Sequence, residues 1–288
     1  MTFLAEEKLD QSHRNEITAL IKKLQPGISE YAFANLYLFR RQHDYRVLRR
    51  DGHLFLQGVT YDGLRYLMIF SHPSDIGEPL LLEVMKEGGF SLFPVDGRYL
   101  PFFSEGRYKF DYNENDSDYI YKRDKITLYP GRRLHKKRNL VKQYRTLYRY
   151  ADMQYSCERA DDAMTVLRGW LDLSRESVED TDFAACAEAI DLCEKLGLSG
   201  RVYYADEQPA GFLFGEELNS EAYVIHFAKG VTTFKGIYSH MYNSLAVVLP
   251  EKYAILNFEQ DLGKESLRKA KSAYLQDAML KKYRVSLK

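Results

Sequence analysis

Two short stretches of the chain carry side chains of the types that bind and transfer charged groups. The first runs from Pro130 to Tyr150 and contains no Asp or Glu, and cations are dense at its start: Arg132, Arg133, Lys136, Lys137 and Arg138. This composition is typical of an anion-binding face for RNA, phosphate groups or an anionic membrane surface. An amphipathic helix whose cations are solvated or paired with acids elsewhere explains it equally well.

Arg138 occupies an unusual position in this stretch. Leu134, Val141, Tyr144 and Tyr148 recur at helical spacing and form one apolar stripe, and Arg138 falls inside it. A buried guanidinium needs carboxylate or carbonyl partners. We therefore expect Arg138 to be substantially buried and paired.

The second stretch is an apolar strand that leads into an acidic turn and then a basic helix. Glu259 and Asp261 lie in the turn, where the chain passes from the carboxyl end of a strand into a helix, and sites form at such places in α/β sheets. Helix capping is the competing explanation for these acids. Lys271 falls in the inward stripe of the following helix. The pattern predicts a polar constellation that lines a pocket, with core ion pairing as the alternative.

Composition limits the classes of protein that are possible. The 288 residues carry 41 Lys and Arg against 41 Asp and Glu, which excludes nucleic-acid binding over the whole surface but permits a local basic patch. Apolar residues make up 45% and aromatics 14%, as in an ordered globular protein. The N-terminus has no signal-peptide core, and no apolar run reaches the roughly 18–20 residues of a membrane span. We expect a cytoplasmic protein without an integral membrane segment.

Several catalytic and metal-binding patterns do not occur in the sequence. The three cysteines are widely spaced, and His43, His53 and His72 have no metal-ligand spacing, so we expect no metal site. A P-loop, a dinucleotide fingerprint and a G-x-S-x-G elbow do not occur either.

Hydrophobic periodicity and turn residues predict a mixed set of elements. Asp51-Gly52 and Asp62-Gly63 are hairpin signals. The predicted strands are Tyr45–Arg49, His53–Val59, Arg65–Phe70, Phe90–Phe93, Tyr108–Asp111, Tyr119–Tyr121, Arg201–Ala205, Ala210–Glu216, Glu221–Phe227, Tyr253–Phe258 and Lys281–Val285. The predicted helices are an N-terminal helix that contains Ile17, Ile21 and Leu24 and ends before Pro26-Gly27, and then Tyr31–Arg41, His72–Lys86, Arg132–Tyr150, Ala160–Ser177, Phe183–Leu196, Lys235–Leu249 and Lys264–Tyr274.

Two blocks of similar element order follow from this pattern, at residues 1–127 and 128–288. Each reads as helices, an antiparallel meander, a helix, a strand, a helix and a strand. The economical fold class is α+β, with mixed, mostly antiparallel sheets covered by helices. This element order is similar to that of the GNAT acyltransferase fold, so we expect two tandem GNAT-like units, the second of which carries the site.

Two motifs resemble the signatures of one bacterial family. The stretch from Gly131 to Asn139 resembles "G-x-x-L-x-K-K-R-N", and the stretch from Asn257 to Tyr274 resembles "N-x-E-Q-D-L-G…L-R-x-x-K-x-x-Y". The family comprises soluble proteins related to the C-terminal catalytic domain of phosphatidylglycerol lysyltransferases, and it is distantly similar to the Fem-type aminoacyltransferases. The resemblance implies a tandem GNAT fold and transfer of an activated aminoacyl or acyl group to an amine or hydroxyl acceptor.

Such a transfer needs a group that takes the acceptor's proton and groups that hold the donor. We expect Glu259 or Asp261 to act as the general base or to orient it, with assistance from His226, although a lone strand histidine is more often structural. The expected substrate-binding residues are Arg138, Asn139, Asn257, Arg268 and Lys271. The expected anion-binding residues are Arg132, Arg133, Lys136 and Lys137.

The sequence gives weaker signals for the acyl donor and for the binding partners. The turn from Ala228 to Gly236 has glycines and lysines, but it lacks the R/Q-x-x-G-x-G/A spacing that binds coenzyme A in GNAT enzymes. The donor would be a coenzyme A thioester or an aminoacyl-tRNA, and the acceptor a small molecule. The alternative function is a non-catalytic binding protein that recognises RNA, a nucleotide or another anionic ligand.

Overall fold

The computed structural model describes residues 6–288 as a mixture of helices and strands. The strands are β1 (Glu6–Lys8), β2 (Arg46–Arg50), β3 (His53–Val59), β4 (Arg65–Ile69), β5 (Ser91–Asp96), β6 (Tyr108–Tyr112), β7 (Asp118–Lys122), β8 (Tyr150–Gln154), β9 (Ser199–Ala205), β10 (Gln208–Glu217), β11 (Ala222–Gly230), β12 (Ile255–Asn257), β13 (Ala278–Leu280) and β14 (Lys282–Leu287). The helices are α1 (Arg14–Leu24), α2 (Phe33–Leu38), α3 (Pro73–Ile76), α4 (Glu78–Gly88), α5 (Arg123–Leu128), α6 (His135–Leu147), α7 (Ala160–Ser174), α8 (Phe183–Leu196), α9 (Ile237–Val248) and α10 (Glu265–Ser272).

The chain divides into two compact units that are not continuous in sequence. The first contains the chain up to Asp118, together with Gln260–Lys264 and Met279–Lys288. The second contains Tyr119–Glu259 and Glu265–Ala278. The division into GNAT-like units at residues 127 and 128 stays a prediction.

The sheet of the first unit has the order β1-β2-β3-β4-β5-β14-β6. Strands β2, β3 and β4 form the predicted antiparallel meander. Asp51 and Gly52 both have positive φ, at 49° and 80°, as a two-residue hairpin turn of type I′ requires. Helix α4 packs Leu81 and Val84 onto the sheet beside Leu67 and Val285, and this cluster is the core of the unit.

Two predicted helices of the first unit are shorter than the sequence pattern indicates. The helix predicted from His72 to Lys86 is broken at Gly77, whose φ of 82° cannot continue a helix, and α4 begins immediately after it with Pro79 in its first turn. The helix predicted over Tyr31–Arg41 is limited to α2.

The sheet of the second unit has the order β13-β7-β12-β11-β10-β9-β8. Strands β8 to β11 form an antiparallel meander, β11 pairs with β12 in parallel, and β12 pairs with β7 antiparallel. The central strands are buried, with Val202, Phe212, Phe214 and Val224 fully inaccessible to solvent. Helices α7 and α9 both contact β10 and β11. The sheets therefore confirm the predicted α+β class with mixed, mostly antiparallel sheets covered by helices.

The basic stretch ends at the start of a strand that the sequence pattern did not predict. The helix expected over Arg132–Tyr150 is limited to α6, because Tyr148 adopts an extended conformation with ψ of 147° and the chain then pairs as β8 with the edge of β9. Tyr148 keeps the helical spacing of the apolar stripe, so periodicity alone extends the helix too far. Helix α5 was also not predicted.

None of the helices within residues 6–288 has both the length and the apolar character needed to cross a lipid bilayer. In the same part of the chain, no cluster of three or more His, Cys, Asp or Glu side chains is arranged to hold a metal ion.

Candidate active site

A β-bulge in strand β11 determines the position of His226. Phe214 of β10 pairs with Phe227, and the next residue, Gly215, pairs with Ile225, so His226 is the extra residue on β11. A bulge breaks the alternation of side chains and redirects the extra one. The bulge directs His226 to a place that the regular pleat does not reach.

Strand β12 ends just before the acidic turn. Its parallel pairing with β11 stops at Val224 and Asn257, two residues before His226 and Glu259 on their respective segments. Beyond that point the side chains of His226 and Glu259 connect the two segments. Glu259 has a φ of 58°, and its N–H donates to the Asn257 amide oxygen at 2.7 Å. Asn257, a predicted substrate-binding residue, is fully buried, and this contact gives it a part in positioning the turn.

His226 lies between two carboxylates. Its Nδ1 is 2.7 Å from Glu259 Oε1 and its Nε2 is 3.0 Å from Glu216 Oε1. The imidazole side chain is 1% exposed, whereas Glu259 and Glu216 are 15% and 17% exposed. The carboxylates therefore reach the surface while the imidazole remains beneath them.

The electrostatics of this cluster determine which group can accept a proton. Burial lowers the pKa of His226, but the hydrogen bonds and negative charges of Glu216 and Glu259 outweigh burial and raise the pKa to about 10. At neutral pH the ring is an imidazolium that donates from both nitrogens, so it cannot be the base. The groups of the cluster that reach the surface, where a substrate could contact them, are the carboxylates of Glu216 and Glu259.

The other predicted catalytic acid, Asp261, lies in the first compact unit and is 2% exposed. Its Oδ1 accepts a hydrogen bond from the Gly263 N–H at 2.8 Å, within the turn that precedes α10. This contact stabilises the turn. A catalytic role for Asp261 stays a prediction.

The prediction that Arg138 is buried is wrong. The side chain is exposed, and its Nη1 donates to the carbonyl oxygen of Tyr129 at 2.6 Å. The expected carbonyl partner is therefore present, but it belongs to the chain just before the helix. A guanidinium that reaches a backbone carbonyl at the surface keeps its other donors in water and needs no burial.

The remaining predicted cations differ in exposure. On and before α6, Arg132, Arg133, Lys136 and Asn139 are exposed, and Lys137 is half-buried. On α10, Arg268 is exposed and Lys271 is half-buried, with its Nζ 5.9 Å from the centre of the Tyr119 ring. Lys271 is thus only partly turned inward.

The structure brings together two predicted residues, His226 and Glu259, and adds Glu216, which sequence reasoning missed. Glu216 lies near the end of β10, just after the bulge position at Gly215. Its only sequence signal is an acid near the end of an otherwise apolar strand. The sequence does not indicate which residue of β11 Glu216 faces, because the bulge sets the register between β10 and β11.

Solved structures of several other proteins share the fold of this chain. A conserved protein of unknown function from Bacteroides thetaiotaomicron has a TM-score of 0.88 at 24% identity, over 100% of both chains. L-PGS from Bacillus licheniformis has a TM-score of 0.68 at 13% identity, over 99% of this chain and 94% of that one. FemX has a TM-score of 0.65 at 10% identity, over 99% and 98%. The fold is that of the lysyltransferase and Fem-like proteins, as predicted.

The family follows from the sequence comparison. The model described as phosphatidylglycerol lysyltransferase, C-terminal, matches residues 21–286, and the chain belongs to this family. Comparison with curated proteins gives no match. The fold shared with L-PGS agrees with this family assignment.

Proposed function

We propose that this protein transfers an activated acyl or aminoacyl group to an amine or hydroxyl acceptor, with the carboxylate of Glu259 as the general base. The observation that carries the proposal is the Glu216–His226–Glu259 cluster, which holds two partly exposed carboxylates at the point where β11 and β12 stop pairing. The family match supports the reaction class.

The proposed chemistry is attack of the acceptor on an ester or thioester carbonyl. As the acceptor nitrogen or oxygen forms its bond to the carbonyl carbon, its proton passes to Glu259. The bond to the leaving oxygen or sulfur then breaks, and the leaving group takes up a proton. We assign His226 the role of a positioning residue, because its buried ring contacts both carboxylates.

The turn after β11 favours an aminoacyl ester as donor over a coenzyme A thioester. A pyrophosphate-binding turn needs backbone N–H groups that are available to the ligand. Here the N–H groups of Gly230 and Lys235 donate to the hydroxyls of Tyr238 and Tyr148, and that of Val231 donates to the Ala210 carbonyl. These donors are already satisfied within the protein, and the donor class we propose is an aminoacyl-tRNA.

The test is a transfer assay with defined donors. The protein is incubated with a panel of aminoacyl-tRNAs or with acetyl-coenzyme A, each with phosphatidylglycerol and with small amines, and products are detected by mass shift. We expect product from an aminoacyl donor, and a rate that falls about 10²–10⁴-fold in Glu259→Gln. Glu217→Gln is the matched control, since Glu217 pairs with Lys252 at the surface. Equal transfer rates in Glu259→Gln and Glu217→Gln would show that Glu259 is not the general base.

A second function is supported by the exposed cations at the start of the basic stretch. Arg132, Arg133, Lys136 and Arg138 are all exposed, as expected for a protein that binds a polyanion without catalysis. In that case binding of tRNA would weaken steeply with salt and no donor would give product. Filter binding at two salt concentrations, performed beside the transfer assay, separates the two functions.

A further inference from the structure

Lys137 differs from the other cations of the basic stretch. Arg132, Arg133 and Lys136 are exposed to solvent, whereas Lys137 is half-buried. Its Nζ lies 3.6 Å from the centre of the Tyr274 ring, close enough for a cation–π interaction. The ammonium group therefore lies against an aromatic wall instead of in open water.

The ammonium of Lys137 has no carboxylate counterion in the part of the chain that the structure describes. Burial, with a smaller effect of the neighbouring Lys136 charge, lowers the pKa of Lys137 to about 8. A cation that is partly removed from water is usually paired with an anion. Among the described residues Lys137 has no carboxylate partner of this kind, so a ligand can supply the anion.

The wall beside Lys137 continues to the proposed active site. The Tyr274 ring is 5.3 Å from that of Tyr242 and 6.3 Å from that of Phe258, and Phe258 directly precedes Glu259. Tyr242 and Phe258 stack at 4.5 Å. The aromatic cluster that Lys137 contacts through Tyr274 therefore extends to the residue directly before Glu259.

We propose that Lys137 binds a phosphate group of the transferase substrate, as an extension of the proposed function. Phosphate is favoured over carboxylate because the surrounding stretch from Pro130 to Tyr150 has no acid and adds several cations. Near several cations, a phosphate with up to two negative charges is attracted more strongly than a carboxylate with one. The phosphate could come from a nucleotide or from a lipid headgroup.

The test measures the reactivity of the Lys137 amine directly. Competitive labelling with acetic anhydride from pH 6 to 10, read by mass spectrometry, gives the pKa of this single side chain. Millimolar inorganic phosphate should raise that pKa by about one unit, since an adjacent opposite charge favours the ammonium. Labelling at pH 8 should then fall about fivefold. Lys142, an exposed lysine on the same helix, is the internal control.

Two further arms identify the source of the phosphate, and one variant checks the site. Adenosine 5′-monophosphate and sn-glycerol 3-phosphate are compared at equal concentration, and stronger protection by one assigns the source. Phosphate that binds the native protein should also raise its melting temperature. Lys137→Arg should keep this rise, and Lys137→Met should lose it. Equal protection of Lys137 and Lys142, or protection by none of the three compounds, overturns the proposal. If phosphate protects Lys137 from labelling but no donor gives a transfer product, the transferase proposal is wrong. If transfer occurs but Lys137 is not protected, only the proposed role of Lys137 is wrong.

Discussion

Replacing Glu216 with Gln should lower the pKa of His226 while leaving the fold intact. In the native protein the two carboxylates raise this pKa from its ordinary value of 6.5 to about 10 against the opposing effect of burial. That shift corresponds to about 5 kcal/mol of preference for the imidazolium. The amide of Gln keeps the shape of the side chain and removes one of the two charges.

The magnitude follows from the geometry of the cluster. A single opposite charge in contact with a titrating group shifts its pKa by about 1–3 units. Loss of the Glu216 charge, 3.0 Å from Nε2, should therefore lower the pKa of His226 by about 1–3 units, or about 1–4 kcal/mol. Glu259 remains 2.7 Å from Nδ1 and should keep part of the shift.

The pH dependence of stability has a definite sign. Because folding raises the pKa of His226, the charged ring stabilises the native state fully below about pH 6.5. This contribution declines as the pH rises and is lost above about pH 10. In Glu216→Gln the decline should be complete at a pH about 1–3 units lower.

The assay is an NMR titration of the ring nitrogens of His226 in the native protein, Glu216→Gln and the control Glu217→Gln. Glu217 is adjacent in sequence but pairs with Lys252. A native His226 that titrates near pH 6.5, or a Glu216→Gln variant with an unchanged midpoint, would refute the electrostatic argument.

Two further predictions concern stability. A Cβ at Gly215 would lie 2.2 Å from the Val224 carbonyl oxygen, so Gly215→Ala should lower the free energy of unfolding in denaturant by about 1–3 kcal/mol. Gly106→Ala is the control and should be nearly neutral, because a Cβ at Gly106 has space. An equal loss of stability in both variants would contradict this prediction. In the first unit, burial raises the pKa of Glu30 to about 7 beside Lys282 and Asp118, so native stability should fall as the pH rises from about 4.5 to 7. Glu30→Gln should flatten that part of the pH profile, and an unchanged slope would show that Glu30 does not titrate there.

Local signals predicted the elements that depend on neighbouring residues. The Asp51-Gly52 turn set the β2–β3 hairpin because only certain residues adopt positive φ at low cost. Helix α8 begins and ends at the predicted residues, Phe183 and Leu196, where a Gly at position 197 with φ of 72° stops it. These features need no information from distant parts of the chain.

Predictions that depended on distant packing were less accurate. Arg138 has the angular position of a buried residue, but its partner is the Tyr129 carbonyl at the surface, and periodicity contains no information about that carbonyl. Strand β8 was not predicted, because its pairing with β9 involves residues about fifty positions away. The final strand β14 joins the sheet of the first unit between β5 and β6, which no local pattern indicates.

The sequence by itself determined the fold class, the family resemblance and two members of the candidate site, His226 and Glu259. Only the tertiary structure showed that Glu216 completes the cluster and that the imidazole lies beneath two carboxylates, which raise its pKa. The physical reason is that the charge state of a buried group depends on its neighbours in space, and a one-residue bulge decides which neighbours those are.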